Sequence, residues 1–177
     1  MDVDRIAFLC HLFGALVFFD YACVAPYLDI NLNGPTHTGY GRQWLKKEQI
    51  PKFFKLCYKD GIFISTHKFI GGPGSSGILT VKSRLVNRNA APIFPGGGSV
   101  LYVNEKEHIY VERVEDREEA GTPNILGDIK AGLAFKLKHS IGVEAIKIID
   151  NRIMKIVKDR AKTMKNVTFY GSMDSPR

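Results

Sequence analysis

The first part of the chain contains two patterns of apolar positions. Between residues 6 and 13 apolar side chains recur at helical spacing, after two aspartates of the kind that favour a helix N-terminus. This pattern predicts an amphipathic helix that Gly14 ends. Residues 15–19 (ALVFF) then form a continuous apolar run that ends at Asp20. Because apolar runs without alternation are typical of strands covered by helices on both faces, this run predicts a buried strand of a mostly parallel sheet.

Two further strand-like runs follow, at residues 62–65 (IFIS) and 77–82 (GILTVK), and a glycine-rich loop separates them. A short helix is expected at about residues 51–58, and residues 109–114 (IYVERV) are a candidate edge strand. The order of helices, strands and loops predicts an α/β fold. In such folds the functional groups lie on the loops after the carboxyl ends of the strands.

Two long helices are predicted in the last third of the chain. The first is expected to begin with Thr122 as N-cap and Pro123 in its first turn, and to reach about Ser140. The second is expected at about residues 143–164, with its apolar side chains facing inward.

Charge and cysteine usage exclude several classes of function. The 177 residues carry a formal net charge of +7, and the excess lies in residues 130–177, with 11 lysines and arginines against 4 acidic residues. No aromatic interleaving or nucleic-acid-binding motif accompanies this excess, so a solvated helix face explains it better than a nucleic-acid partner. Three cysteines without CxxC spacing favour a reduced, cytoplasmic setting and suggest no metal site. The apolar stretch at residues 6–19 is too short for a membrane span.

Polar groups with complementary chemistry stand at the ends of two predicted strands. Asp20 ends the first strand, and Ser65, His67 and Lys68 stand at the end of the second. A carboxylate that pairs with a protonated pyridine nitrogen and a lysine that forms an imine are the two protein groups that a pyridoxal cofactor requires. Spacing alone leaves a structural ion pair between Asp20 and Lys68, or two unrelated surface residues, as the alternative.

Four motifs follow one another along the chain. They are residues 20–26 (DYACVAP), 65–77 (STHKFIGGPGSSG), 96–99 (GGGS) and 119–124 (EAGTPN). In this order they resemble the D-x-A-x-x-x-P, S-x-H-K-x-x-G-G-P-G-x-x-G, G-G-G and E-A-G-T-P-N stretches of the class V aminotransferase and cysteine desulfurase family, which includes selenocysteine lyase-like enzymes. Residues 171–177 look like the beginning of the family's C-terminal domain. The resemblance implies a pyridoxal-phosphate-dependent enzyme of fold type I.

The resemblance also implies a role for each matching residue. Lys68 would hold pyridoxal 5'-phosphate as a Schiff base and later shuttle the α-proton of the substrate. Asp20 would keep the pyridine nitrogen protonated, and Ser65 and His67 would contact the cofactor phosphate. Thr122 would reach the phosphate of a neighbouring subunit, because sites in this family are completed across a homodimer interface. Its local alternative is the helix N-cap.

One position departs from the family pattern. Many members carry a glutamine where this chain has Cys23, and that glutamine bonds the phenolic oxygen of the cofactor. Cys23 is interpreted as a small buried thiol, because the family's sulfur-carrying cysteine lies in the C-terminal domain.

The resemblance covers only part of a larger fold. We therefore expect residues 1–142 to be the second half of the cofactor-binding large domain, and residues 143–177 to be a linking helix and the start of the small domain. The expected function is that of a transferase or lyase acting on a small amino acid, as a cysteine desulfurase or an aminotransferase. The alternative is a truncated, catalytically inactive fragment of the family without tight cofactor binding, and the isolated chain is expected to be inactive.

Overall fold

The structure, a computed structural model, describes residues 2–36, 44–168 and 170.

The first helix follows from its amino-terminal aspartates. Helix α1 spans Val3–Leu12, and the side chain of Asp2 caps it by accepting a hydrogen bond from the backbone N–H of Arg5 at 3.0 Å. The chain then turns at Gly14, whose φ of +71° lies in the left-handed region that favours glycine. The predicted helix and its end are therefore present.

A three-stranded sheet follows, in which β2 is the central strand. Strand β1 (Phe18–Asp20) pairs in parallel with β2 (Gly61–Ser65), with Asp20 opposite Phe63. Strand β3 (Gly77–Val81) pairs with β2 in the antiparallel direction. Helix α2 (Ile50–Leu56) precedes β2. The three predicted strands are present, but β1 is buried only at Phe19 and not on both faces as expected. The third strand runs antiparallel because the glycine-rich loop reverses the chain directly after β2.

The rest of the chain consists of a hairpin and three helices. Strands β4 (Val100–Val103) and β5 (His108–Tyr110) form a separate antiparallel pair. Helices α3 (Val114–Glu118), α4 (Ile125–Ile141) and α5 (Val143–Lys162) follow. Residues 37–43 and residues 171–177 lie outside the described residues.

The core lies between the sheet, α1 and α4. Its buried members come from all three of these elements, from the position before β1 and from the loops after β1 and β2: Ala7, Val17, Phe19, Tyr21, Ala25, Ile62, Ile64, Phe69 and Ala134. A second buried cluster joins α1 to α2 through Phe8, Phe53 and Cys57. Burial of these side chains fixes the three-stranded sheet against its helices.

Buried polar groups fix the amino ends of the two parallel strands. Asp60, fully buried, accepts hydrogen bonds from the backbone N–H of Val17 at 2.9 Å, from His11 at 2.8 Å and from Arg84. Lys59, also fully buried, donates to Asp4 at 2.6 Å. Because each buried charge has a partner, these residues tie α1 to the start of β2. They lie at the end of the strands opposite to Asp20.

Two expectations about the late helices are wrong. Helix α4 begins after Asn124, whose side-chain oxygen accepts a hydrogen bond from the backbone N–H of Gly127 at 3.1 Å, so Asn124 and not Thr122 is the N-cap. The apolar side chains of α5 were expected to face inward, yet Ile149, Ile153 and Ile156 are all more than half exposed. A helical period identifies an apolar face but does not show that the face is covered.

Candidate active site

The parallel pairing of β1 and β2 brings two of the predicted site residues to one edge of the sheet, namely the edge formed by the carboxyl ends of these two strands. Asp20 is the last residue of β1, and Ser65 is the last residue of β2. Asp20 is exposed, and one of its carboxylate oxygens accepts a hydrogen bond from the backbone N–H of Ala22 at 2.7 Å. This contact turns the chain sharply after the strand, as aspartate side chains commonly do.

Lys68 lies on the next loop, at the end of a 3-10 turn formed by Thr66–Lys68. Thr66 is fully buried, and its hydroxyl donates to the carbonyl oxygen of Ser76 and accepts from the hydroxyl of Ser75. These contacts close the glycine-rich loop on itself. Lys68 is exposed, and its Nζ donates to the Sγ of Cys23 at 3.2 Å. Lys68 forms no ion pair with Asp20, and both side chains are exposed.

Helix α4 holds the loops after β1 and β2 together. Lys138 donates from its Nζ to the carbonyl oxygens of Ala25 and Leu28, at 2.6 Å each, and the same Nζ lies 5.5 Å from the centre of the Phe69 ring. Burial lowers the pKa of Lys138, and the negative charge of Asp29 opposes this effect. Lys138 is therefore a structural cation between the two loops.

The tyrosine beside Asp20 is buried without a polar partner. Tyr21 is 3% exposed, and its hydroxyl forms no hydrogen bond with the part of the chain that the structure describes. Burial, with a smaller contribution from the charge of Asp4, raises the pKa of Tyr21 to about 12. Tyr21 contributes an apolar surface to the core directly behind Asp20.

An open depression of about 460 Å³ lies at the end of the sheet where β1 ends with Asp20 and β2 ends with Ser65. Its lining comes from the ends of β1, β2 and β3: Asp20, Ala22, Phe63, Ile64, Ser65, Gly77, Ile78 and Leu79. The other predicted site residues do not line it. Lys68 and His67 are exposed on the adjacent 3-10 turn, and Thr122 is exposed on the loop before α4. The structure thus places Asp20 and Ser65 in one depression and Lys68 on the loop next to it.

Two features of this site were missed from the sequence. Cys23 is exposed and contacts Lys68, whereas a buried thiol was expected. Only its position in place of the family glutamine could have drawn attention to it. Lys138 is separated from Ala25 by 113 positions, and no local pattern distinguishes it from the other lysines of α4.

The fold is that of solved cysteine desulfurases. The chain is similar to an apo cysteine desulfurase from Thermococcus onnurineus, with a TM-score of 0.68 and 21% identity, covering 98% of this chain and 37% of that one. It is also similar to a cysteine desulfurase from Escherichia coli, with a TM-score of 0.64 and 21% identity, covering 92% of this chain and 35% of that one. The predicted fold class, a partial fold type I domain, is confirmed.

Sequence comparison defines the family. The family model described as "Aminotransferase class-V" matches residues 54–177, well over half of the chain. A cysteine desulfurase of Shigella flexneri is 31% identical over 116 residues, which cover 65% of this chain and 28% of the relative. One of Wigglesworthia glossinidia brevipalpis is 30% identical over 113 residues, which cover 64% of this chain and 27% of the relative. The chain belongs to the class V aminotransferase family, as its motifs predicted.

The similarity covers only part of each relative. The chain spans between about a quarter and two fifths of the length of the relatives and solved structures that it matches. Among the described residues, no helix is both long enough and apolar enough to cross a membrane.

Proposed function

We propose that this chain forms part of a pyridoxal-phosphate-dependent enzyme of the cysteine desulfurase type, which acts on a small amino acid such as cysteine. The observation that carries the proposal is the parallel pairing of β1 and β2, which places Asp20 and Ser65 at one edge with Lys68 on the adjoining loop. The names of the relatives, all cysteine desulfurases among those compared above, support cysteine as the substrate.

The residues at this edge have the chemistry that the cofactor needs. The exposed carboxylate of Asp20 suits a protonated pyridine nitrogen, and the hydroxyl of Ser65 and the imidazole of His67 suit a phosphate. Asp20 and Ser65 share the depression, and the exposed Lys68 amine lies beside it. Thr122 is proposed to bind the phosphate of a second subunit, and this role is open to it because its hydroxyl does not cap α4. The donor set therefore fits pyridoxal phosphate.

The proposed chemistry uses Lys68 twice. When bound, pyridoxal phosphate supplies an electron sink for negative charge at the α-carbon of an amino acid. The Nζ of Lys68 would attach the cofactor, and after its release by the substrate the same atom would take and return the α-proton. Asp20 would hold the proton on the pyridine nitrogen. Lys68 must leave Cys23 for either role, because its Nζ donates to that thiol in this structure.

The organisation of the whole protein is part of the same proposal. Residues 1–142 would contribute to the cofactor-binding domain, residues 143–177 would link it to a smaller domain, and the enzyme would act as a homodimer. Amino transfer is the alternative reaction, because it needs the same lysine and carboxylate. A fragment that does not bind the cofactor tightly is the non-enzymatic alternative, and the open form of the depression favours it for the isolated chain.

Labelling of the lysine tests the proposal. The protein is loaded with pyridoxal phosphate, reduced with borohydride, digested and mapped by mass spectrometry. The label is expected on Lys68, and Lys68→Arg should abolish it. Lys130→Arg is the matched control, because Lys130 is an exposed lysine near the same glycine-rich loop, with its Nζ 3.3 Å from the position of a Cβ built on Gly74. A label spread over the exposed lysines of residues 130–165 would contradict the assignment and favour the non-enzymatic alternative.

A further inference from the structure

The exposed thiol of Cys23 lies within reach of the amine of Lys68. The Nζ–Sγ distance is 3.2 Å, and both side chains are exposed. The other two cysteines are less exposed. Cys57 is fully buried, and Cys10 is partly buried on α1. Cys23 is therefore the most exposed of the three cysteines, and its Sγ accepts a hydrogen bond from the amine of Lys68.

Both partners are held by short backbone hydrogen bonds. Cys23 lies in a turn that the backbone N–H of Ala25 closes by donating to the carbonyl oxygen of Tyr21 at 2.9 Å. Lys68 lies in a 3-10 turn that Phe69 closes by donating to Thr66 at 3.0 Å. Lys138 contacts both loops, through Ala25 and through the ring of Phe69. The proximity of thiol and amine is thus built into two loops that α4 holds together.

We propose that Cys23 and Lys68 form an oxidation-sensitive modification site, at which a peroxide links the two side chains covalently. In the first step the Sγ of Cys23 attacks hydrogen peroxide, the O–O bond breaks, and the products are a sulfenic acid and water. In the second step the neutral Nζ of Lys68 attacks this sulfur, a second water leaves, and an S–N bond forms. Peroxide is the oxidant, sulfur is oxidised, and the protein loses two hydrogen atoms.

The link is reversible by thiols. Two molecules of a small thiol return Cys23 to the thiol and Lys68 to the amine, and become one disulfide themselves. Because sulfenic acids condense with nearby nucleophiles, an amine that already contacts the sulfur has an advantage over reagents from solution. The link would also remove the amine on which the proposed function depends. That consequence rests on the proposed function, whereas the link itself does not.

Mass spectrometry of the cofactor-free protein tests the link. After treatment with a small excess of hydrogen peroxide, the intact mass should fall by two hydrogen atoms, and digestion should yield the Cys23 peptide joined to the Lys68 peptide. Dithiothreitol should restore both the mass and the separate peptides. The measurement needs no bound cofactor. A missing link would therefore contradict only this inference, whereas a failure of borohydride labelling would contradict the proposed function.

Variants locate the two atoms. Cys23→Ser and Lys68→Arg should each abolish the linked peptide, the second because a guanidinium does not supply a neutral amine. Cys10→Ser and Lys130→Arg should leave it unchanged, and circular dichroism of all four variants verifies that they fold alike. A stable sulfenic or sulfinic acid at Cys23 with Lys68 free would overturn the proposal. A link that includes Cys10, or one that retains an oxygen atom, would also overturn it.

Discussion

At the scale of single residues, the position of Lys68 depends on Gly72. A Cβ at Gly72 would overlap the carbonyl oxygen of Thr66 and lie 3.0 Å from that of Phe69. The backbone N–H of Gly72 also donates to the carbonyl oxygen of Phe69 at 2.9 Å. The loop therefore folds back onto the 3-10 turn that carries Lys68, and it does so closely enough that only glycine fits.

Replacing Gly72 with alanine is expected to destabilise the protein by roughly 1–3 kcal/mol, because the backbone must move to admit the methyl group. The matched change is Gly132→Ala on α4, where nothing lies within 4 Å of the new Cβ. Alanine is the better helix former by up to about 1 kcal/mol, so this control should be neutral or stabilising. Urea unfolding of both variants measures the difference, and equal effects at the two positions would contradict the close approach at Gly72.

Tyr21 makes the stability of the folded protein depend on pH in the alkaline range. The folded-state pKa of about 12 lies above the ordinary value of 10.0, so the fold favours the neutral phenol. Between these two values the folded state binds more protons than the unfolded state. The contribution of the neutral Tyr21 phenol to the free energy of unfolding is thus fully present below pH 10 and is lost as the pH rises towards 12.

Tyr21→Phe should remove this dependence. Near neutral pH the variant is expected to be as stable as the parent or slightly more stable, since the buried hydroxyl has no partner among the described residues. Above pH 10 the parent should lose stability relative to the variant. Denaturant unfolding across this range measures the difference, with Tyr170→Phe as the control because Tyr170 is 95% exposed. If the difference in unfolding free energy between the parent and Tyr21→Phe stays constant with pH, the phenol has the same pKa in the folded and unfolded states.

At the scale of elements, α4 organises the candidate site although none of the predicted site residues lies on it. Phe135 packs edge-on against Phe69, with ring centres 4.9 Å apart, and Lys138 contacts the loop after β1. The helix thereby fixes the loop that carries Cys23 relative to the loop that carries Lys68.

Lys138→Met should destabilise the protein by about 1–3 kcal/mol, because the carbonyl oxygens of Ala25 and Leu28 lose their partner while the apolar stem is kept. Hydrogen exchange should accelerate in the turn at residues 21–28. Lys136→Met is the control, since Lys136 is an exposed lysine on the same helix. If exchange in that turn is the same in both variants, the contact with Lys138 does not hold the loop.

The sequence predicts well those elements in which the apolar positions of the sequence are the positions that the fold buries. Gly61, Ile62 and Ile64 of β2 are buried, and the apolar run was sufficient to identify the strand although Phe63 is exposed. Strand β4 was missed because its side chains are largely exposed in a hairpin, where no buried face imposes an alternation. The start of α4 was misplaced by two residues because Thr122 and Asn124 are both good caps, and only the contact with Gly127 decides between them.

The sequence predicted which residues belong to the candidate site, but it did not predict how they are arranged in space. Motifs identified Asp20, Ser65 and Lys68, and the family to which they point is confirmed. Their mutual geometry depends on the pairing of strands more than 40 positions apart, and the Cys23–Lys68 contact spans 45 positions. Because local patterns carry no information on contacts at that separation, these had to come from the structure.

At the scale of the whole molecule, the surface contains a large apolar area on the last two helices. The exposed apolar side chains are Ile125, Leu126, Ile129, Leu133 and Leu137 on α4, and Ile148, Ile149, Ile153, Ile156 and Val157 on α5. Large exposed apolar patches are rare on monomeric proteins and mark surfaces that pack against other protein. The solved relatives are more than twice as long as the part that this chain matches, so the family fold contains further material beyond it.

The apolar face of α5 should make the 177-residue chain self-associate in solution. Ile149, Ile153 and Ile156 lie on one face of the helix at spacings of four and three, and a charge at the central position would have to be desolvated on association. Ile153→Glu is therefore expected to shift the chain towards the monomer in sedimentation velocity at matched concentrations. Asn151→Glu is the control, because it makes the same change in net charge at an exposed polar position of the same helix. Equal shifts in the two variants would assign the effect to net charge, and a parent chain that is already monomeric would show that this face does not drive association.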